Sequence, residues 1–238
     1  MKTVSIHDGH SASVALMVDG AVVYAIQEER LTKIKNTGGF PHQALNDLLI
    51  NNEMLITDID HFIFVGNGSA TPMKAREYHL EKYSRFFKRH DLEVSFLSKA
   101  KNKIKSKLKN VDPAKIVGEK RKLRVEPLIA EGISETKISF IDHHLCHAAA
   151  AAYGWGKNET YAVVTSDSSG DGISGTVNLF EDGELTRLSE IKIGDSIARI
   201  YSLITYYLGM VPMEHEYKLM GMAPYAENDK AARNMADY

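Results

Sequence analysis

The feature that most constrains the fold is a three-strand pattern that occurs twice, about 160 residues apart. The first copy consists of TVSI, SVALMV and AVVYAI, and the second of YAVVTSD, ISGTVNLF and ELTRLSEI. Asp19-Gly20 and Asp182-Gly183 join the last two strands of each copy, and Asp-Gly readily takes the positive φ angles of a tight hairpin turn. Two meanders of the same plan predict a duplicated unit.

A glycine-rich segment, SSGDG, follows the first strand of the second copy. Tight loops of this kind turn backbone N–H groups toward one point, and such groups favour phosphate oxygens. We therefore predict that this segment contacts a phosphate-bearing ligand. The residues concerned are Ser168, Gly170, Asp171 and Gly172.

Between the two copies, helical and strand patterns alternate. HQALNDLLINNEM has the apolar spacing of a helix, HFIFVG that of a buried strand, and ISFI leads into an alanine-rich helix. This alternation predicts an α/β fold. We predict a first lobe over residues 1–156 and the start of a second, shortened lobe over residues 157–238.

Residues 74–124, here called the basic segment, contain 17 Lys and Arg but only 6 Asp and Glu. Lysines alternate there with Asn, Ser, Ile and Leu and without regular aromatic residues, which favours a solvated helical insertion. A patch for an anionic substrate, RNA or a partner is the alternative. The whole chain has a net charge of −2, which argues against a dedicated nucleic-acid binder.

Sequence composition also bears on the compartment. Cys146 is the single cysteine, so no internal disulfide can form, and the first ten residues lack the apolar run of a signal peptide. No run of about 18 apolar residues marks a membrane-spanning helix. We predict a soluble protein of the cytoplasm that has no membrane partner.

His143 and His147 are the strongest candidates for metal ligands. They are four residues apart at the start of a predicted helix, so both side chains project from one face of it. The pair lies between a buried strand and a closely packed helix, which favours metal ligands over two surface histidines. Asp167, at a strand end, is the preferred third ligand. His144 points elsewhere on the helix, and Cys146 is interpreted as a packing residue.

Two further segments carry reactive or charged side chains. His7, Asp8 and His10 lie where the first strand meets a loop of small residues, and a histidine there can act as a base near neutral pH. QEERLTKIK, residues 27–35, is interpreted as a structural salt-bridge cluster. EHEYKLMGMAPY sets Lys218 near Gly221, which by itself is only a weak anion site.

Four ordered motifs resemble the carbamoyltransferase family that includes the nodulation protein NodU and the O-carbamoyltransferases of antibiotic biosynthesis. They are GHSASVALMVDGAVVYAIQEERLTKIKNTGGFP, DHHLCHAAAAAYGW, TSDSSGDGISGTV and the run from Tyr201 to Tyr225 that ends in EYKLMGMAPY. The resemblance implies an actin-like ATPase (ASKHA) fold with two ribonuclease-H-like lobes, of which the second is incomplete here.

The resemblance also implies the site. His143, His147 and Asp167 would bind a divalent metal beside ATP, Fe²⁺ in the first place, with Zn²⁺, Mn²⁺ or Mg²⁺ as other possibilities. His10, rather than His7, matches the family's N-terminal histidine. In the family, that histidine is often followed by Asp or Asn, whereas this chain has Ser11. Lys35 and Lys218 would contact anions.

The implied chemistry has two stages. Carbamoyl phosphate and ATP give carbamoyl adenylate on a C-terminal YrdC-like domain, and the carbamoyl group then passes to a hydroxyl of a small molecule. We expect the 238 residues alone not to complete this reaction. An actin-like kinase or ATPase, and a non-catalytic nucleotide-binding scaffold, are the alternative functions.

Overall fold

The computed structural model describes residues 1–68, 77, 80–85, 113–156 and 159–225, and two β-sheets organise this part of the chain. The first sheet contains β1 (Lys2–His7), β2 (Ser13–Val18), β3 (Ala21–Gln27), β4 (His61–Val65) and β5 (Ile138–Ile141). Its order is β3-β2-β1-β4-β5. Neighbours are antiparallel from β1 to β3, whereas β4 and β5 run parallel to β1. This is the strand arrangement of a ribonuclease-H-like lobe, which confirms the predicted fold class.

One face of the first sheet carries the main apolar core. Side chains point to alternate faces along a strand, so the buried apolar residues of β1, β2 and β4 occur at every second position. Helices α2 (His42–Asn51) and α3 (Pro113–Ala130) contribute the other half of this core. Its members include Val4, Ile6, Val14, Leu16, Leu45, Leu48, Phe62, Phe64, Val125 and Leu128. Each buried side chain of this size stabilises the fold by about 1.5–3 kcal/mol, which fixes the strand ends that carry the candidate site.

Helix α1 (Glu28–Thr32) begins with a buried acidic residue. The carboxylate of Glu28 accepts hydrogen bonds from the backbone N–H groups of Gln43 (3.1 Å) and Ala44 (2.7 Å) at the start of α2. These N–H groups have no partner within their own helix and carry the positive end of its dipole. The predicted salt-bridge cluster is therefore wrong at this position, and no cation of the described residues pairs with Glu28.

The second sheet repeats the meander. It contains β6 (Tyr161–Gly170), β7 (Ile173–Glu181) and β8 (Glu184–Lys192), antiparallel in that order. The predicted glycine-rich loop is shorter than expected, because β6 continues to Gly170. Asp171 (φ 50°) and Gly172 (φ 89°) form the turn, since two residues with positive φ suffice to reverse a strand.

Helix α4 (His143–Trp155) packs on the second sheet. Ala148 and Ala152 are buried against Val163 and Phe180, and their small side chains let the helix approach the strands closely. The sequence places this helix at the end of the first lobe, whereas its contacts are with the second sheet. The boundary at residue 156 stays a prediction.

Two further helices follow the second sheet. Helix α5 (Ile197–Tyr207) is capped by the Ser196 side chain, which accepts a hydrogen bond from the backbone N–H of Arg199. Helix α6 (Glu216–Met222) was not among the predicted elements. In the described ranges, no helix has both the length and the hydrophobicity needed to cross a membrane.

The described residues of the basic segment are helical, and Lys82, Lys120 and Lys122 are exposed, as expected of a solvated insertion. Two other residues of the segment are buried: Tyr83, 6% exposed, and Arg124, 5% exposed. The ring of Tyr83 stacks with that of Tyr206 on α5, with 6.1 Å between the centroids. A count of charges shows only that most of such a segment is polar, and it does not reveal which side chains face the protein.

Candidate active site

The three side chains predicted as metal ligands meet at the start of α4. The Nε2 atoms of His143 and His147 are 3.0 Å apart, and Oδ2 of Asp167 lies 2.9 Å from the first and 3.8 Å from the second. One helical turn separates the histidines, and Asp167 reaches them from β6. Among the residues that the structure describes, this is the one cluster of His, Cys or acidic groups whose ligand atoms all lie within 4.8 Å of one another.

This geometry fits a divalent metal ion. Ligand atoms about 2.1 Å from an ion in tetrahedral geometry are about 3.4 Å apart, and the three observed separations lie on both sides of that value. Imidazole nitrogens with one carboxylate suit iron, zinc or manganese, and three protein ligands leave a coordination position for water or substrate. The His147 side chain is 52% exposed, so the cluster is reached from solvent.

The charges of these groups are coupled. Hydrogen bonds from His143 first, and then from His147, hold the pKa of Asp167 far below its usual range, although burial opposes this. The contact with Asp167 raises the pKa of His147 against the effect of burial. A metal ion would take the place of the proton that the imidazoles share with the carboxylate.

Glycine 170 and Asp171 position His143. The imidazole rests on the Gly170 backbone, where no side chain would fit. The Asp171 carboxylate accepts hydrogen bonds from the backbone N–H groups of His143 (2.9 Å), Asn67 (2.7 Å) and Gly68 (2.6 Å). Burial opposes ionisation of Asp171, but these N–H groups outweigh it and the pKa is lowered. The carboxylate thus binds protein backbone, and a phosphate contact would have to come from the main chain of this turn.

His10 faces the same cleft as the metal ligands. Its backbone carbonyl accepts a hydrogen bond from Nε2 of His7 (3.1 Å), while its own ring makes no hydrogen bond to any described residue. Burial lowers the pKa of His10, although Asp167 raises it in part and His143 lowers it further. The imidazole is therefore neutral near pH 7, with a nitrogen free to accept a proton.

Ser11, the departure from the family pattern, has a φ of 58°. Asn and Asp adopt this left-handed conformation more readily than other non-glycine residues, so a backbone preference accounts for their use at this position. The Ser11 hydroxyl donates to Oδ1 of Asn36 (3.2 Å), whose amide donates to the carbonyl of Met213 (3.1 Å). The loop that carries His10 is thereby tied to the segment before α6.

The other two candidates on α4 do not join the metal cluster. Burial raises the pKa of the Cys146 thiol to about 11, so the thiol stays protonated. His144 is fully buried. Its Nε2 lies 3.2 Å from the carbonyl of Ile173, which can only accept, and its Nδ1 therefore accepts from the hydroxyl of Thr165 (2.9 Å). His144 anchors α4 to the second sheet and does not face solvent.

A buried ion pair joins the His10 loop to α3. Arg124 donates two hydrogen bonds of 2.8 Å to the carboxylate of Asp8, which is 2% exposed. Its remaining N–H groups donate to the carbonyls of Val65 (2.9 Å), Gly66 (2.6 Å) and Gly68 (2.9 Å). All five donors of the guanidinium are used, which is the condition under which a buried charge is tolerated.

These groups surround a cleft of about 520 Å³. Of the residues predicted to contact phosphate, those that line it are Ser168, Gly170, Asp171 and Gly172. Lys35, Lys218 and Gly221 do not line it, and the two lysines lie 5.0 and 5.9 Å from the ring of Tyr217. The phosphate-binding role of all of these residues stays a prediction.

A comparison with protein families gives one match that spans nearly the whole chain. The family model "Carbamoyltransferase N-terminus" matches residues 2–237. This chain belongs to that family. Among relatives of this carbamoyltransferase-family chain, uncharacterized protein sll1178 of Synechocystis sp. is 30% identical over 218 residues, and nodulation protein NolNO of Sinorhizobium fredii is 27% identical over 222 residues.

Both alignments cover 92% of this chain but only 33% and 28% of the relatives, so the chain spans about a third of their length. Among solved structures, YeaZ from Pseudomonas aeruginosa shares 14% identity and a TM-score of 0.37, covering 80% of this chain and 66% of that one. A Ppx/GppA family member of Aquifex aeolicus shares 15% identity and a TM-score of 0.33, covering 92% and 58%. Neither structural similarity bears on the function of this chain.

Sequence reasoning missed two parts of the site. The pairing of Arg124 with Asp8 joins residues 116 positions apart, and nothing local marks either partner. The second part is the turn Gly66-Asn67-Gly68 after β4. The sequence does mark this turn, because its glycines directly follow a buried strand, as the glycines of SSGDG do. That turn supplies N–H groups to Asp171.

Proposed function

We propose that this chain is the N-terminal part of an ATP- and metal-dependent carbamoyltransferase, which passes a carbamoyl group from carbamoyl adenylate to a hydroxyl of a small molecule. The observation that carries the proposal is the convergence of His143, His147 and Asp167, because His143 and Asp167 line the same cleft as His10. A kinase or ATPase of this fold would use the glycine turns and a bound nucleotide, but it would have no need of the histidine pair.

The ligand set suits a divalent ion, Fe²⁺ in the first place and Zn²⁺, Mn²⁺ or Mg²⁺ otherwise. When bound, the ion would supply a Lewis acid that stabilises negative charge on the phosphate of the leaving AMP. His143, His147 and Asp167 would hold it. Gly170 and Asp171 would act indirectly, by fixing the ring and the backbone of His143.

In the transfer step, the acceptor oxygen would attack the carbamoyl carbon. A new carbon–oxygen bond forms, the bond from that carbon to the phosphate oxygen breaks, and AMP leaves with the electron pair. His10 would take the hydroxyl proton on its free ring nitrogen, a role that suits a histidine neutral near pH 7. The turn of Ser168 to Gly172 would present N–H groups to the phosphate, and Lys35, Lys218 and Gly221 would contribute from outside the cleft.

The first stage belongs to the proposal as well. Carbamoyl phosphate and ATP would give the adenylate on a YrdC-like domain, in the cytoplasm, and this chain would carry out the second stage. The complete reaction is therefore proposed for the longer protein, since this chain spans about a third of its relatives.

Metal content provides the direct test. Protein purified without chelator should hold close to one equivalent of a divalent metal by elemental analysis. The double variant His143→Ala/His147→Ala should hold none, while His42→Ala, which removes an exposed histidine from α2, should keep it. Full occupancy in the double variant would contradict the metal site.

The reaction is tested with full-length protein, ATP, labelled carbamoyl phosphate and a panel of hydroxyl compounds. Label in the acceptor together with AMP release supports the proposal. Formation of ADP with a phosphorylated acceptor would instead identify a kinase.

A further inference from the structure

Two lysines of the basic segment lie in the wall of the cleft without a counter-charge. Lys82 and Lys120 both line it, and neither makes a salt bridge with any described residue. The carboxylates that line the same cleft are all engaged: Asp8 with Arg124, Asp142 with Arg187, Asp167 with His143, and Asp171 with backbone N–H groups. Within the described part of the chain, neither ammonium group therefore has a carboxylate partner.

Buried neighbours fix the position of both lysines. Lys82 precedes Tyr83, whose ring is packed against Tyr206 on α5. Lys120 lies one helical turn before Arg124, whose guanidinium is held by Asp8. Both lysine side chains are exposed to solvent, and these contacts fix the backbone that carries them at the cleft. Tyr83 is thus attached to α5, and Arg124 to the loop that follows β1.

The surroundings of Lys82 disfavour its charge. Burial lowers the pKa of its ammonium group, and the like charge of Arg199 lowers it further. A bound anion would offset both effects and favour the charged form of the ammonium group.

We propose that Lys82 and Lys120 form an oxyanion subsite of the cleft, which binds a phosphate or carboxylate group of a substrate. The inference rests on the proposed function only in identifying the bound molecule as a substrate. The bound phosphate or carboxylate group can belong to either of two molecules. One is the nucleotide, through its phosphates, and the other is the acceptor, which would then be an anionic hydroxyl compound. Lys82 and Lys120 of the basic segment would then belong to the substrate site.

The test uses inorganic pyrophosphate as the probe, with the metal-loaded full chain in a calorimeter at 150 mM salt. We expect Lys82→Ala/Lys120→Ala to weaken pyrophosphate binding at least about tenfold, the loss of one charge-assisted hydrogen bond. Lys122→Ala removes the same charge from an exposed position of α3 that does not line the cleft, and it should change the affinity less than about twofold. Adenosine binding should not change.

Further measurements identify the source of the anion. If ATP binding weakens by the same factor in the double variant, the subsite serves the nucleotide. If pyrophosphate still binds beside saturating ATP, and this binding is lost in the double variant, the subsite serves an anionic acceptor. Failure of wild-type protein to bind pyrophosphate, unchanged binding in the double variant, or an equal loss in Lys122→Ala overturns the proposal. Metal content and carbamoyl transfer are measured separately, so failure of the proposed function is recognised independently.

Discussion

The imidazole of His143 lies so close to the backbone of Gly170 that a β-carbon at position 170 would be 2.0 Å from its Cδ2 atom and 2.2 Å from its Cγ atom. Real β-carbons do not approach other atoms so closely. The φ angle of Gly170 is not in the left-handed region, so the requirement for glycine comes from space alone. One metal-ligand candidate therefore depends on the absence of a side chain on the facing strand.

Gly170→Ala should displace the His143 ring and weaken metal binding at least about tenfold, the usual effect of disturbing a group that orients a ligand. Metal affinity is measured by competition with a chromophoric chelator. Gly154→Ala is the control, because Gly154 lies in α4, the helix that carries His143, with nothing near its missing β-carbon. It should leave metal binding intact and stabilise the protein by about 0.5–1 kcal/mol. Wild-type affinity in Gly170→Ala would show that the ring can move without loss.

Asp171→Asn should destabilise the protein at pH 7 by about 1–3 kcal/mol in urea unfolding, because an amide cannot accept from all the N–H groups that face the carboxylate. The folded-state pKa of Asp171 is lowered, so its contribution is fully present above the unfolded value of about 3.9 and is lost as pH falls through the folded value. The difference between wild type and variant should therefore shrink below about pH 4.

Asp182→Asn provides the control for that measurement. Asp182 lies in an exposed hairpin turn with a φ of 51°, which Asn also adopts, and we expect a change within about 0.5 kcal/mol. A difference at Asp171 that stays constant down to pH 2 would mean that the charge of the carboxylate is unimportant.

His10→Asn should lower the rate of carbamoyl transfer by about two to four powers of ten in the full-length enzyme and leave metal content unchanged. Because the pKa of His10 is lowered, wild-type activity should decline on the acid side with an inflection below about pH 6.5, and the variant should lack this inflection. Adenylate formation, followed by pyrophosphate release, should continue. If His7→Asn abolishes transfer and His10→Asn does not, the base is three residues earlier.

Asp8→Asn and Arg124→Met should each destabilise the protein by about 3–5 kcal/mol, because either change leaves a buried partner uncompensated. The double variant should lose less free energy of unfolding than the sum of the two single losses. A double-mutant cycle with urea unfolding measures this difference. Arg85→Met breaks an exposed pair with Glu81 and should cost at most about 1 kcal/mol. Strict additivity at Asp8 and Arg124 would contradict a direct pairing.

Local patterns were sufficient for the strands and the metal ligands. The alternation around Val4, Val14 and Phe62 marks strands with one buried face, and Asp-Gly sets the hairpins. His143 and His147 share a face because of helical geometry. Asp167 was predicted at a strand end, whereas β6 continues past it to Gly170. These features depend on neighbours within a few residues.

Local patterns could not predict the contacts between segments that are distant in sequence. Glu28 was expected in a salt bridge, but the start of α2 lies next to it in space and offers better hydrogen-bond donors. Gly170 was predicted to contact phosphate, and its closeness to His143 depends on how α4 lies on the second sheet. Tyr83 belongs to a charged run whose buried side has no periodic signal.

The packing of α4 also determines what happens if the two lobes rotate. His143, His147 and Asp167 all belong to α4 or to the sheet on which it packs, whereas His10 belongs to the other sheet. If the cleft opens, His143, His147 and Asp167 would therefore move together, and only their distance from His10 would change. The proposed proton acceptor would then move into and out of range while the proposed ligand set keeps its geometry.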